Sequence, residues 1–227
     1  MIGTGRWLRV GLAGLLALAG IACQRSPTPA AGDTGDTGDT GAPVATPAPA
    51  ARPPTLPSPP LVAAARSQIG QTVRYDPAYA VLGYPGGDVP IDGGVCTDVI
   101  VRALRAQGVD LQQRIHEDMR RAFSAYPALW GLSRPDRNID HRRVPNLMRW
   151  FERQGWQQLA SRQPADFAAG DIVAWKLNGS GLLHVGIVSD RRRSDGTPLI
   201  LHNIARGTQE EDLLFAHTII GHYRPPA

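Results

Sequence analysis

The chain has 227 residues and a formal net charge of +4, and Lys176 is its only lysine, so arginine supplies most of the positive charge. This length allows one ordinary domain with appended segments. Zinc-finger spacing, a recognition-helix pattern and basic strands interleaved with aromatic residues are all missing, which excludes nucleic acid as the expected partner. An arginine-rich exported protein is better suited to acidic envelope polymers or lipid headgroups.

Residues 1–22 are typical of a signal peptide. Arg6 and Arg9 supply a positively charged start, and the apolar run that follows is too short to span a bilayer comfortably. The run ends in Leu-Ala-Gly-Ile-Ala before Cys23 and is similar to a bacterial lipoprotein cleavage site, although Gly20 stands where such sites prefer leucine. We therefore expect Cys23 to carry lipid. The alternative is ordinary cleavage that leaves Cys23 as a free thiol.

Residues 23–60 have a biased composition, with Gly-Asp-Thr repeated three times before a stretch rich in proline and alanine. Such a segment cannot bury enough apolar surface to offset the entropy lost on ordering, which predicts a disordered tether. Gln24 after the cysteine favours the outer membrane, with the protein facing the periplasm. The folded domain is expected over residues 61–227.

Helices are predicted in the first part of this domain and strands in the second. Apolar residues recur at helical spacing, as in Val99, Ile100, Ala103 and Leu104. The predicted helices cover residues 61–70, 95–107, 111–125 and 144–153. The predicted strands cover residues 171–176, 183–189, 199–203 and 218–223. Helices followed by a meander of strands indicate an α+β fold rather than alternating βαβ units.

Cys96 is the only cysteine in the predicted domain, and it begins a helix after Asp-Gly-Gly-Val. A helix N-terminus carries partial positive charge and free N–H groups, so we expect its thiol to ionise more easily. The same N–H groups can hold an oxyanion. A lone thiol is a liability in an oxidising compartment unless it is used, and a bond to Cys23 on the tether is disfavoured. Cys96 is therefore a candidate nucleophile; the alternative is a small buried hydrophobic residue.

His184 lies on a predicted strand, and the next strand ends in His202 and Asn203. Cysteine, histidine and a polar orienter form a candidate triad. His202 and Asn203 point to opposite faces of their strand, so only one of them can contact His184. Gly186 is expected to leave room for the cysteine helix. No cofactor is predicted, and residues 116–118 lack the histidine spacing of a zinc site.

Several stretches of the domain resemble known families. In four short motifs the domain resembles the NlpC-type cysteine hydrolases of bacterial cell walls. These motifs are Gly94-Val-Cys-Thr-Asp, Gly170-Asp-Ile-Val-Ala-Trp, His184-Val-Gly-Ile-Val and Ile200-Leu-His. Longer stretches resemble the "domain of unknown function 1287" group, namely Tyr84-Pro-Gly-Gly-Asp-Val-Pro, residues 134–146 and Gly221-His-Tyr-Arg. The resemblance implies a papain-like fold, in which N-terminal helices pack on a C-terminal antiparallel sheet.

The resemblance also implies roles for individual residues. Cys96 would attack an amide carbonyl, His184 would act as the base, and His202 would orient the imidazole, with Asn203 as the alternative orienter. Tyr84 matches a tyrosine that lies beside the cysteine in the family. It would donate toward the oxyanion or support the cysteine loop, unless it serves only in packing.

Candidate substrate-binding residues lie on both sides of this triad. Asp98, in the first turn of the cysteine helix, interacts favourably with the helix dipole or binds a substrate ammonium group. Asp140, His141, Arg142 and Arg143 form a dense polar cluster. This cluster is either a solvated loop held by ion pairs or a substrate lip whose arginines bind the carboxylates of a peptide stem.

The expected function is that of an exported cysteine hydrolase that cleaves an amide bond of peptidoglycan, as a stem-peptide endopeptidase or an amidase. One alternative is an acyltransferase or thioesterase that acts on envelope lipids, which predicts a drier and more apolar cleft. Another is an envelope-binding lipoprotein without catalysis. The expected partners are peptidoglycan or a peptide substrate, and the membrane through the lipid on Cys23.

Overall fold

The computed structural model describes residues 58–226. The predicted signal peptide, Cys23 and almost all of the predicted tether therefore lie outside the described residues. Within the described range, no helix combines the length and apolar character that a membrane span needs.

The first part of the domain is helical, as predicted. The four α-helices of the described residues are α1 (Pro60–Arg66), α2 (Cys96–Arg105), α3 (Leu111–Ala122) and α4 (Val144–Arg153). Helix α1 is shorter than predicted, because the chain turns after Arg66 and Gly70 adopts a left-handed φ of +79°. Helix α3 passes into a 3₁₀ turn at Phe123–Ala125.

The second part forms one antiparallel sheet, so the predicted α+β class is confirmed. The strands are β1 (Ile172–Lys176), β2 (Leu183–Arg192), β3 (Pro198–Asn203), β4 (Thr208–Glu211) and β5 (Thr218–Tyr223), in the spatial order β4-β3-β2-β1-β5. Strand β4 was not predicted. Its Thr-Gln-Glu-Glu sequence has no apolar alternation, and it is a strand because it pairs with β3 at the edge of the sheet.

Alternating side chains of β2 enter two different cores. Val185 and Ile187 pack with Val99 and other residues of α2, whereas Val188 packs with Trp175 on the opposite face of the sheet. A fully buried aliphatic side chain contributes about 1.5–3 kcal/mol. Packing of this kind holds α2, and with it the N-terminus of that helix, against the centre of the sheet.

Candidate active site

The start of α2 is held by the carboxylate of Asp98. Its Oδ2 accepts a hydrogen bond of 2.6 Å from the N–H of Val95, the residue before the helix. Gly94 makes this turn possible, because its φ is +152° and a Cβ at that position would lie 3.0 Å from Asp98 Oδ2. The backbone that carries Cys96 is therefore fixed by the helix itself.

Asp98 also forms a buried ion pair with Arg142. Arg142 Nε and Nη2 donate to the two carboxylate oxygens at 3.0 Å each, and the same guanidinium donates to the carbonyls of Asp76 and Ala78. These contacts occupy both charged groups within the fold, which agrees with the structural alternative for Asp98; Arg142 lines the cavity described below with its charge already paired. Removing one partner of such a pair costs about 3–5 kcal/mol, because the other charge is left buried.

The pairing of β2 leaves one of its N–H groups free. Val188 donates to Asp171 O at 2.8 Å, and N–H groups of alternate residues point to the same side of an antiparallel strand. The N–H of Val185 therefore points the other way, toward β3. Strand β3 does not meet it, since the β2–β3 ladder ends at the Ile187–Leu201 pair.

The Cys96 sulfur lies close to the N–H of Val185. The backbone N–H groups of Val185 and Thr97 both reach the sulfur, and both favour the thiolate. The Val185 nitrogen belongs to the peptide group that joins it to His184. The sulfur thus lies next to the backbone of the predicted base. The His184 side chain itself points to the opposite face of the sheet, where it neighbours Trp175, and it makes no hydrogen bond with Cys96.

Burial opposes ionisation of this thiol. Cys96 is only 4% exposed, and desolvation raises its pKa to about 12, with a smaller contribution from the charge of Asp98. The expected lowering of the pKa is therefore wrong. A helix N-terminus supplies about 0.3–1 kcal/mol, and one pKa unit already corresponds to about 1.4 kcal/mol. The resting thiol holds its proton at neutral pH and needs a base to release it.

His184 and His202 contact each other directly. His184 Nε2 lies 3.1 Å from His202 Nδ1, and the two rings meet edge to face. Burial is the main cause that lowers the pKa of His184 to about 3 and that of His202 to about 4, so both rings are neutral at pH 7. Since Nε2 of His184 faces His202, its Nδ1 is the nitrogen that remains for a second partner.

Asn203, the alternative orienter, points away from His184. Its Nδ2 donates to Gly94 O at 3.0 Å and to Arg74 O at 3.3 Å, and its Oδ1 accepts from the N–H of Gly207 at 3.1 Å. The structure therefore brings His202 rather than Asn203 to the imidazole. Asn203 supports the loop before Cys96 from the other face of the strand.

Gly186 has a different role from the predicted one. A Cβ at this position would lie 2.6 Å from Ile200 Cγ2 and 3.1 Å from His202 Cβ, both on β3. The missing side chain therefore makes room for β3 and not for the cysteine helix. This close approach of β3 brings His202 within reach of His184.

A cavity of about 360 Å³ is lined by Cys96 and by side chains that are mostly apolar or aromatic. They include Tyr75, Leu129, Trp130, Ile139, Val144 and Leu183. Arg143 also lines the cavity: its guanidinium lies 4.1 Å from the centre of the Trp130 ring and donates to Asp140 Oδ1 at 3.0 Å. Of the predicted polar cluster, Arg143 is thus the residue that retains a partly exposed charge at the site.

Two other residues of that cluster are buried and lie outside the cavity lining. Asp140 accepts a hydrogen bond of 2.5 Å from the N–H of Asp136, and burial raises its pKa. His141 is 2% exposed, and burial lowers its pKa to about 4. The segment is therefore neither a solvated loop nor, as a whole, a substrate lip; Asp140 and His141 serve the fold.

The tyrosine at the cysteine is Tyr75, not Tyr84. Tyr75 lines the cavity, and its pKa is raised to about 12 by burial and by the neighbouring Cys96 and Asp98 groups. Tyr84 packs edge-on against His116 of α3, with ring centroids 5.3 Å apart. For Tyr84 the structure agrees with the packing alternative.

Glu211 is a candidate residue that sequence reasoning missed. Its Oε2 lies 3.2 Å from His202 Nε2, on the far side of the ring from His184. In the sequence Glu211 is an acidic residue that follows His202 by several positions. Its position indicates a contact with His202 only if the edge strand β4 is recognised. Glu211 extends the line of polar groups formed by His184 and His202.

Comparison with known proteins places the chain in a family. Residues 62–225 match the family described as "Domain of unknown function (DUF1287)". The chain belongs to this family. DUF1287 relatives include "Uncharacterized protein YijF" of Escherichia coli (strain K12), which is 59% identical over 160 residues, covering 70% of this chain and 78% of YijF. No solved structure matches the chain.

Proposed function

We propose that this DUF1287 protein is a papain-like cysteine hydrolase of the NlpC type, with Cys96 as nucleophile, His184 as general base and His202 as orienter. The observation that carries the proposal is the 3.1 Å contact between His184 Nε2 and His202 Nδ1, on the strand whose next residue, Val185, directs its N–H at the Cys96 sulfur. In the structure the His184 ring neighbours Trp175 on the sheet face opposite to the one that packs against α2, so transfer of the thiol proton to His184 Nδ1 requires the ring and the sulfur to come together.

The reaction starts from a neutral thiol and a neutral imidazole. As the Cys96 sulfur attacks the carbonyl carbon, its proton moves to His184 Nδ1, and the carbonyl oxygen becomes an oxyanion. N–H groups at the start of α2 are the candidate donors to that oxygen. The C–N bond then breaks, the imidazolium protonates the leaving amine, and a thioester remains. Water hydrolyses the thioester and restores the thiol.

We propose peptidoglycan as the substrate, cleaved in the stem peptide or at the amide that joins the stem to the sugar. Support comes from the export signal predicted over residues 1–22, from the basic charge, and from Arg143 at the cavity. Arginine binds carboxylates in a planar, bidentate manner, and stem peptides carry carboxylates. The predicted lipid on Cys23 would hold the enzyme at the membrane while the tether lets the domain reach the wall.

Digestion of purified peptidoglycan tests this function. Wild-type protein should release fragments with new amino termini, detected by liquid chromatography and mass spectrometry. Cys96→Ala should lower the rate by at least about 1,000-fold, because the covalent step is lost. Its circular dichroism should be unchanged, since alanine fits the space of the buried thiol. Equal release by the variant, or no release by the wild-type protein at any pH, would contradict the proposal.

The apolar cavity supports a second candidate, acyl transfer or thioester hydrolysis on envelope lipids. Tyr75, Trp130 and Leu183 would contact an acyl chain as readily as a peptide side chain. Offering the protein a long-chain acyl thioester, with and without an amine acceptor, separates the two functions. Cys96-dependent acylation of the amine, together with intact peptidoglycan, would favour the lipid reaction.

A further inference from the structure

Glu211 shares one face of the sheet with His202. In the β3–β4 pairing, Gln209 is opposite His202 and Glu211 is opposite Ile200. Glu211 is therefore the diagonal neighbour of His202, a position from which long side chains reach each other. Its Oε2 lies 3.2 Å from His202 Nε2, within ion-pair distance although not aligned for an ideal hydrogen bond. The His202 side chain is fully buried, whereas that of Glu211 is 29% exposed.

We infer that Glu211 is a positioning residue that selects the tautomers of His202 and His184; the inference rests on the proposed function. A neutral imidazole carries one N–H, and an ionised carboxylate only accepts hydrogen bonds. Glu211 therefore favours the His202 tautomer with its proton on Nε2. His202 Nδ1 becomes an acceptor, and the 3.1 Å contact requires His184 to donate from its own Nε2. His184 Nδ1 is then unprotonated and able to accept a proton.

The opposite arrangement would be inactive. With its proton on Nδ1, His202 would donate to His184 Nε2, and the single proton of His184 would then sit on Nδ1. That nitrogen could not accept a proton from the thiol. Selection between these two states needs an acceptor at His202 Nε2, and Glu211 supplies it.

Other charged groups near this pair do not provide the same selection. Arg206 forms an ion pair with Glu211 and has no acceptor. His217 lies near enough that its charge lowers the pKa of both buried histidines, and its Nδ1 accepts from the N–H of Asn178 at 3.3 Å. Glu211 is thus the acceptor that the described residues place at His202 Nε2.

Histidine ¹⁵N NMR of the full chain at pH 7 tests the inference directly. In the wild-type protein, His184 and His202 should both show the tautomer protonated on Nε2. In Glu211→Ala, the population of His202 protonated on Nδ1 should increase. In the hydrolysis assay the variant should lose about 10- to 100-fold in kcat, as for other residues that orient a histidine, with little change in KM.

Asp212→Asn provides the matched control. This carboxylate is next in sequence and pairs with the exposed Arg193, away from His202. The Asp212→Asn variant should have the same histidine tautomers and the same kcat as the wild type. If Glu211→Ala fails to fold, Glu211→Gln replaces it, because glutamine keeps the shape but can donate as well as accept. The Glu211→Gln variant should then show a mixture of the two His202 tautomers.

The outcomes separate the inference from the proposed function. His202 protonated on Nδ1 in the wild type, or tautomers that do not respond to either Glu211 variant, would overturn the inference even if the protein hydrolyses peptidoglycan. The expected tautomers and their shift in a protein without hydrolase activity would support the selection by Glu211 and contradict the proposed function.

Discussion

At the scale of single residues, the chemistry of Cys96 depends on a competition between burial and hydrogen bonding. The N–H groups of Val185 and Thr97 favour the thiolate, but desolvation outweighs them and raises the pKa to about 12. His184 is shifted in the opposite direction, since burial disfavours the imidazolium. Both shifts favour the neutral thiol and neutral imidazole over an ion pair. Proton transfer must therefore accompany attack on the substrate.

This balance predicts an unusual acid limb in the pH dependence of the reaction. The proposed base is neutral His184, whose pKa is lowered to about 3, so it stays neutral well below the ordinary histidine range. We expect kcat/KM to remain nearly constant from pH 7 to pH 5 and to fall only at lower pH. Initial rates at low substrate concentration provide the measurement. A limb with its midpoint near pH 6.5 would contradict the expectation.

Unfolding in acid must be separated from titration of the base. Burial lowers the pKa of His141 to about 4, so the unfolded chain binds protons below pH 6.5 that the folded state excludes. The free energy of unfolding therefore decreases as the pH is lowered through this range. The variant His141→Gln removes one such group outside the cavity. It should reduce the slope of unfolding free energy against pH, while the pH profile of kcat/KM stays unchanged.

At the scale of secondary-structure elements, the distance between β2 and β3 determines whether the two histidines meet. In Gly186→Ala the new methyl group would lie 2.6 Å from Ile200 Cγ2 and push β3 away. Overpacking of this kind costs about 1–3 kcal/mol. A displacement of about 1 Å between reacting groups can cost about 100-fold in rate. We expect kcat to fall by about that factor while the protein remains folded at 25 °C.

Gly83→Ala is the control for this substitution, because the nearest atom to its Cβ would be 4.0 Å away. Its kcat and thermal unfolding temperature should match the wild type. Full activity in Gly186→Ala would show that the close approach of β3 is not needed for the reaction.

Elements with a strong apolar pattern could be predicted from the sequence, and others could not. Helix α4 and strand β5 have the predicted bounds, and in α4 the apolar residues follow the helical period over the whole element. Strand β4 is polar and exists only through its pairing with β3, so local sequence gives no sign of it. Glu211 was missed for that reason, because its contact with His202 depends on this pairing.

At the scale of the whole molecule, the site is assembled from distant parts of the chain. Cys96 comes from α2, His184 from β2 and His202 from β3; local context singles out each of them, but not the face of the sheet that its side chain occupies. Burial could not be predicted in the same way. Asp98 and Arg142 were candidate substrate-binding residues, and the local sequence did not reveal that the fold pairs them inside. Tyr75 and Tyr84 lie in an irregular segment, where no periodicity tells which one reaches the thiol.

Intact-protein mass spectrometry after rapid acid quenching is the most direct test of covalent catalysis by Cys96. The wild-type chain, mixed with peptidoglycan fragments and quenched during turnover, should gain the mass of the acyl portion of the substrate. Peptide mapping should place this mass on Cys96 as a thioester that hydroxylamine removes, and Cys96→Ala should show no adduct. Product formation without any adduct on Cys96, or an adduct on another residue, would contradict the assignment of Cys96 as the nucleophile.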